Sequence, residues 1–146
     1  MLDYVTNTVR NLLIIQEALP MVSTSQLQKR FKSILSDDAF LRTLLDHCND
    51  GINVVDREGR LLYANLISAE YAGVDRASML GNPIFQYYPK AVLLKVLKTQ
   101  KPVLDQKIHY IGGKRYIVSS YPIFQKQEFV GAYSIFKDIR DIETLN

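Results

Sequence analysis

The spacing of apolar positions changes character along the chain, helical in the first third and strand-like in the last. Leu2, Val5, Val9, Leu12, Leu13 and Ala18 recur at helical intervals and predict a first helix over residues 2–18, which Pro20 ends. Ser23 to Ser25 offer hydroxyls to cap a second helix, in which Leu27, Phe31, Ile34 and Leu35 form an apolar stripe. Asp37 or Asp38 can cap a third helix running to about His47, with Phe40, Leu41, Leu44 and Leu45 on one side.

From Gly51 the pattern turns to β. INVVD is a β-branched run, REG a turn and RLLYA a second short strand, together a hairpin. Asn65 stops that strand and is placed to cap a short helix through about Tyr71, ended by Gly73. One more helical turn fits Arg76 to Leu80, closed by Gly81 before Pro83. Residues 90–99 predict the most regular helix of the middle region, with Val92, Leu93, Val96 and Leu97 on one face. Three antiparallel strands follow at about Val103–Tyr110, Arg115–Tyr121 and Phe129–Lys137, with turns at Gly112–Gly113 and Gln125–Gln127. The expected order is two strands, several short helices, then three strands.

Composition narrows the function more than the fold. A chain of 146 residues fits one domain and one core, and 47% apolar with 23% charged residues is ordinary for a folded globular chain. The net charge of +3 is small and evenly scattered, so neither nucleic acid nor a membrane surface is expected as a partner on charge alone. The longest apolar runs, such as Leu12 to Ile15, fall far short of the roughly 18 residues that span a bilayer. The N-terminus also lacks a secretory pattern, so a cytoplasmic location is expected. Cys48, His47 and His109 are the whole inventory of soft ligands, which argues against a zinc site. No nucleophile elbow, phosphate loop or metal-binding helix motif is present, so no catalytic residue is assigned and the chain is not expected to be an enzyme.

The ordered set of motifs carries a resemblance. DGINVVDREGRLLYAN (50–65), YAGVDRASMLGNP (71–83), SSYPIF (119–124) and VGAYSIFKDIR (130–140) resemble, in order and spacing, the opening hairpin, middle helices and closing strands of PAS domains. The similarity covers about residues 37 to 138 and implies an α/β (α+β) PAS fold. Such a fold has a five-stranded antiparallel sheet with short helices on one side, here preceded by N-terminal helices. Residues 1–36 would then be a helical segment suited to dimerisation, 37–138 the PAS domain, and 139–146 the start of an exit helix or linker. Asp138 falls at the joint between sheet and exit helix, where the resemblance implies a role in signal relay and where it can also serve as a plain N-cap.

The resemblance also weighs cofactors. A flavin photosensor of the family carries a cysteine in an N-C-R-F-L-Q-like stretch, whereas GNPIFQ here places Pro83 after Asn82, which excludes the adduct chemistry. A haem sensor needs an axial ligand, and residues 91–99 hold no histidine. No cofactor is expected. A small-molecule pocket is, and Tyr71, Phe85, Tyr88, Val92, Val96, Tyr116, Val118, Ser120 and Tyr133 are its candidate lining. A solid core with no ligand is the alternative, because strand parity fixes which residues share a face but not which face is covered. Among PAS proteins, the hairpin and the YPI…G…KDI closing most resemble sensor modules of bacterial sigma-54-dependent enhancer-binding activators, in which AAA+ and DNA-binding domains follow. The expected partners are therefore a small-molecule ligand, a second copy of the chain and those downstream domains. The sensor of a histidine kinase, a ligand-free dimerisation module, and a small enzyme or flavin electron carrier using Tyr or His109 as acid or base are the other readings.

Overall fold

The computed structural model describes residues 39–110 and 113–139, together with Gln26, Lys29 and Ser33. The predicted helix over 2–18, the stripe Leu27, Phe31, Ile34 and Leu35, the caps at Asp37 and Asp38, the turn residue Gly112 and the exit segment after Ile139 lie outside the described residues.

The chain runs through α1 (Ala39–Asp46), β1 (Gly51–Asp56), β2 (Leu61–Ala64), α2 (Leu66–Ala72), α3 (Arg76–Met79) and a 3-10 turn (Ile84–Gln86). It continues through α4 (Leu93–Thr99), β3 (Val103–His109), β4 (Arg115–Gln125) and β5 (Glu128–Asp138). The five strands form one sheet in the order β2-β1-β5-β4-β3, with every neighbouring pair antiparallel. The last strand in sequence is thus the central strand in space, and all of residues 130–136 are buried.

Local chemistry sets the first hairpin. The Asp56 carboxylate accepts from the N–H groups of Glu58 and Arg60, both at 2.9 Å, and so pins the turn that the sequence reads as REG. The outer edge of β2 is not left open. Leu61 N–H donates to Asn82 C=O and Gly81 N–H to Leu61 C=O, while the Arg60 guanidinium holds the Gly81 carbonyl at 3.0 Å. The loop after α3 therefore covers a row of backbone groups that could otherwise pair with another chain.

Two apolar layers form, one on each face of the sheet. On one face α1 packs Leu41 and Leu45 against Ile52, Val54, Tyr63, Tyr133 and Ile135. On the other, α2 to α4 bury Val55, Leu61, Met79, Ile84, Leu93, Val96 and Phe136. Phe40, expected beside Leu41, is instead 72% exposed. Leu41 and Leu45 define the line facing the sheet, and Phe40 stands about 100° round the helix from Leu41.

Three other expectations shift. The helix read as 90–99 begins at Leu93, with Val92 in the N-cap position making no side-chain cap. No side chain among Pro89, Lys90, Ala91 and Val92 can accept from the orphan N–H groups, so the first turn tightens into 3-10-type bonds from Leu94 N–H to the Ala91 carbonyl and from Lys95 N–H to the Val92 carbonyl. β4 runs on through Pro122 to Gln125, because β3 begins opposite Ser120 and leaves the rest of β4 paired on one side only. The closing turn is then Lys126–Gln127, both with positive φ (49° and 67°), the twist that a two-residue hairpin requires.

Two close approaches fix glycine in the motifs. A Cβ on Gly131 would lie 2.2 Å from the Val55 carbonyl oxygen, and one on Gly51 would lie 2.4 Å from the Phe136 ring. β1 and β5 could not keep their spacing with a side chain at Gly131, while one at Gly51 would have to displace the Phe136 ring.

Asn65 ties these parts together. It is fully buried, and its Oδ1 accepts from Ser68 N–H and Ile52 N–H, both at 3.0 Å. Its Nδ2 donates to the carbonyls of Leu45 and Asp50, both at 2.9 Å. The end of α1, the start of β1 and the first turn of α2 share one amide group whose capacity is fully used. Asn65→Ala would take this partner from the buried N–H groups of Ile52 and Ser68 and from the Asp50 carbonyl, while the Leu45 carbonyl keeps the Cys48 N–H at 3.3 Å. The expected loss is about 3 to 5 kcal/mol, read as a lower denaturation midpoint at unchanged slope.

Candidate ligand-binding site

The face of the sheet that meets α2 to α4 is not wholly apolar. Asn53 of β1 pairs with Ser134 of β5, which pairs with Ser120 of β4, so three polar side chains form a row across the buried centre. Asn53 Oδ1 accepts from Ser68 Oγ at 2.5 Å, and the Tyr88 hydroxyl donates to the Ser68 carbonyl at 2.7 Å. Ser120 Oγ is fully buried and has no hydrogen-bond partner among the described residues. Such a row costs stability unless each group finds a partner, and a ligand or ordered water can supply one.

Two adjoining spaces open at the end of this row. The inner cavity, lined by Asn53, Tyr88, Val92, Tyr116, Val118 and Ser134 among others, has a volume of about 20 Å³, room for one water. The outer chamber, of about 200 Å³, is lined by Tyr71, Ala72, Tyr87, Tyr88, Tyr110, Lys114 and Tyr116. Tyr88, Tyr110 and Tyr116 line both. Tyr116 is the hub of the aromatic wall, with ring centroids 5.4 Å from Tyr71, 5.8 Å from Tyr110, 5.6 Å from Phe136 and 6.3 Å from Tyr88. These tilted and edge-on contacts suit the ring quadrupoles.

Two cations border the aromatic wall. Lys114 Nζ donates to the Tyr71 carbonyl at 2.8 Å, and Lys90 Nζ donates to the His109 carbonyl at 2.8 Å while lying 5.9 Å from the centre of the Tyr110 ring. Burial pushes the hydroxyls of Tyr71, Tyr88 and Tyr110 above the ordinary tyrosine range, so all three are neutral donors near pH 7.

The sequence-predicted lining residues divide clearly. Tyr88, Val92, Tyr116 and Val118 meet at the inner cavity, and Tyr71 joins Tyr88 and Tyr116 at the outer chamber. Val96 is buried in the same layer but borders neither space, and Ser120 lies farther along the polar row. Phe85 points outward from the 3-10 turn and is 57% exposed. Tyr133 is on the opposite face, stacked on Tyr121 with centroids 5.2 Å apart. Alternation along β5 turns Ser134 and Phe136 to the cavity and therefore turns Tyr133 away. Asn53, Ser134, Tyr110, Lys90 and Lys114 join the lining without having been expected there. A signal existed for the first two, since each is a polar residue interrupting an apolar strand, in INVVD and AYSIF.

Asp138 ends β5 half-buried, and its N–H is directed at the Tyr71 hydroxyl at 3.5 Å. The backbone of Arg140 and Asp141, which an N-cap at this position would hold, lies outside the described residues. Among the described residues, no group of three or more His, Cys, Asp and Glu side chains could hold a metal ion. No helix among them is long and apolar enough to cross a membrane.

A family model described as PAS fold matches residues 45–141. The chain belongs to the PAS family. Its five-stranded antiparallel sheet with short helices is the architecture that solved PAS structures share. The PAS domain of Bordetella pertussis BvgS is similar at 21% identity, covering 75% of this chain and 96% of that one, with a TM-score of 0.54. The PAS domain of nitrogen regulation protein NR(II) from Vibrio parahaemolyticus is similar at 16% identity, with 67% and 96% covered and a TM-score of 0.53. A phage VqmA–DPO complex is similar at 18% identity, with 75% and 57% covered and a TM-score of 0.55. No curated protein sequence matches the chain.

The geometry leads to two expected outcomes. Val96→Phe should overpack a solid region and lower stability by about 1 to 3 kcal/mol, whereas Val118→Ile, beside the inner cavity, should change it by less than about 1 kcal/mol. Thermal melts of the two variants distinguish a void from a filled core. Because folding raises the hydroxyl pKa of Tyr71, Tyr88 and Tyr110, the folded chain holds more protons than the unfolded one above about pH 10. Stability is full below that pH and should fall as pH rises beyond it. Tyr88→Phe should flatten the fall in an alkaline denaturation series.

Proposed function

We propose that this PAS domain is the sensory module of a bacterial transcription regulator of the sigma-54-dependent enhancer-binding kind. It binds a small molecule in the tyrosine-lined spaces and passes the signal to downstream domains. It has no catalytic task. The observation that carries this reading is Tyr71, whose ring lines the outer chamber and whose hydroxyl faces the backbone N–H of Asp138 at the end of β5. A molecule that displaces the Tyr71 ring alters a contact at the very end of β5. Such a molecule shifts the exit segment only by binding its two arrangements unequally, and one side chain shared by pocket and exit gives it the means.

Support comes from the row Asn53, Ser134, Ser120, which places hydrogen-bonding capacity where a closed core would place methyl groups, and from the VqmA neighbour, which was solved as a complex with DPO. The N-terminal stripe Leu27, Phe31, Ile34 and Leu35 provides the surface for a homodimer. The AAA+ and DNA-binding domains are the proposed recipients of the signal.

Asp138→Ala tests the relay. Its half-buried carboxylate is proposed to cap the exit helix, an interaction worth about 1 kcal/mol, so the variant should melt within a few degrees of the parent. In the full-length regulator its output should be fixed high or low, whatever the inducing condition. A variant that folds normally and responds fully would remove Asp138 from the relay.

A further inference from the structure

The outer chamber's size, walls and charge together define a ligand class, an inference that rests on reading the chamber as the sensory site. An apolar cavity of about 150 Å³ is known to hold one benzene ring. At about 200 Å³ the outer chamber has room for a single six-membered ring with one or two small substituents. Its walls are the rings of Tyr71, Tyr88, Tyr110 and Tyr116, which favour an aromatic guest by stacked or edge-on contact.

Charge decides the substituent. Among the described residues, the lining of the two spaces includes Lys90 and Lys114 and no Asp or Glu. Neither lysine is in a salt bridge among the described residues. Each ammonium donates one hydrogen bond, to a backbone carbonyl, out of the three it can make. Two cations with spare donors beside a small aromatic chamber match an anionic group attached directly to a ring. The neutral hydroxyl of Tyr110 adds a donor of the same polarity. A ligand ammonium would meet two like charges, and an uncharged ring would leave the lysines without an anion.

We propose that the chamber takes a single-ring aromatic carboxylate, with the ring among Tyr71, Tyr88, Tyr110 and Tyr116 and the carboxylate on Lys114, supported by Lys90. Calorimetric titration of the chain with benzoate, benzamide and benzylamine tests it. Benzoate should bind, benzamide about tenfold more weakly, and benzylamine not measurably, given a charge-assisted hydrogen bond on one side and like charge on the other. Lys114→Gln should remove the preference for benzoate while leaving the affinity for benzamide unchanged, and rising salt should weaken benzoate alone. Equal binding of benzoate and benzamide, or a preference that survives in Lys114→Gln, would overturn the assignment while leaving the chamber a ligand site. The same protein purified from cells, denatured and examined by mass spectrometry for released molecules, separates the two levels. If none of the three compounds binds but a non-aromatic molecule is released, only the ligand class fails. If none binds and nothing is released, the sensory reading of the chamber fails with it.

Discussion

The fold hangs on the side chain of Asn65. One amide group, buried where water cannot substitute, bonds four backbone groups from three elements. Helix α1 approaches the sheet from one face and α2 leaves on the other, so the chain has to pass round the end of β1 at this point. The amide makes that passage rigid, and the DGI start of β1 is a consequence. Asp50 C=O and Ile52 N–H are held by Asn65, while Gly51 between them yields to the Phe136 ring. Asp46 extends the same corner, accepting from the Tyr63 hydroxyl at 2.9 Å and from Arg76 at 2.6 Å, and so joins α1 to β2 and α3.

With that corner fixed, the central position of β5 governs the rest. Its two faces alternate between the layer under α1 and the layer under α2 to α4. Gly131 lets the β1 backbone come close, and Ser134 continues the row of Asn53 and Ser120. A row of three polar side chains is a poor choice for stability alone, since apolar groups of similar size would bury without needing partners. Its presence beside open volume is what the proposed ligand site rests on.

The same strand links that site to the exit segment. Tyr116 joins the rings of the pocket into one cluster, and it pairs across the sheet with Asp138. Tyr71 reaches the same residue from α2. Packed aromatic rings have few alternative arrangements, so a guest that moves one ring moves its neighbours rather than being absorbed locally. The proposed relay therefore needs no long pathway, because the rings of the pocket wall also meet Asp138 at the end of β5.

Element type and order were legible in the chain without any structure. The Asp56 turn, the cap at Asn65, the break at Gly73 and the three closing strands are all set by local chemistry, namely side-chain caps, breakers and the period of two in the strands. The same period groups Tyr116, Val118 and Ser120 on one face, as the structure has them. Which face the helices cover was not legible. That choice turned Tyr133 away from the pocket and brought in Ser134. Tertiary packing also gave Asn65 its three further partners and allowed Pro122 to stay within β4. Each of these outcomes depends on groups far apart in the chain, such as Asn65 with Ile52 and Leu45. Parity and propensity act between neighbours, whereas the side on which a strand is buried is settled by whatever distant segment packs against it.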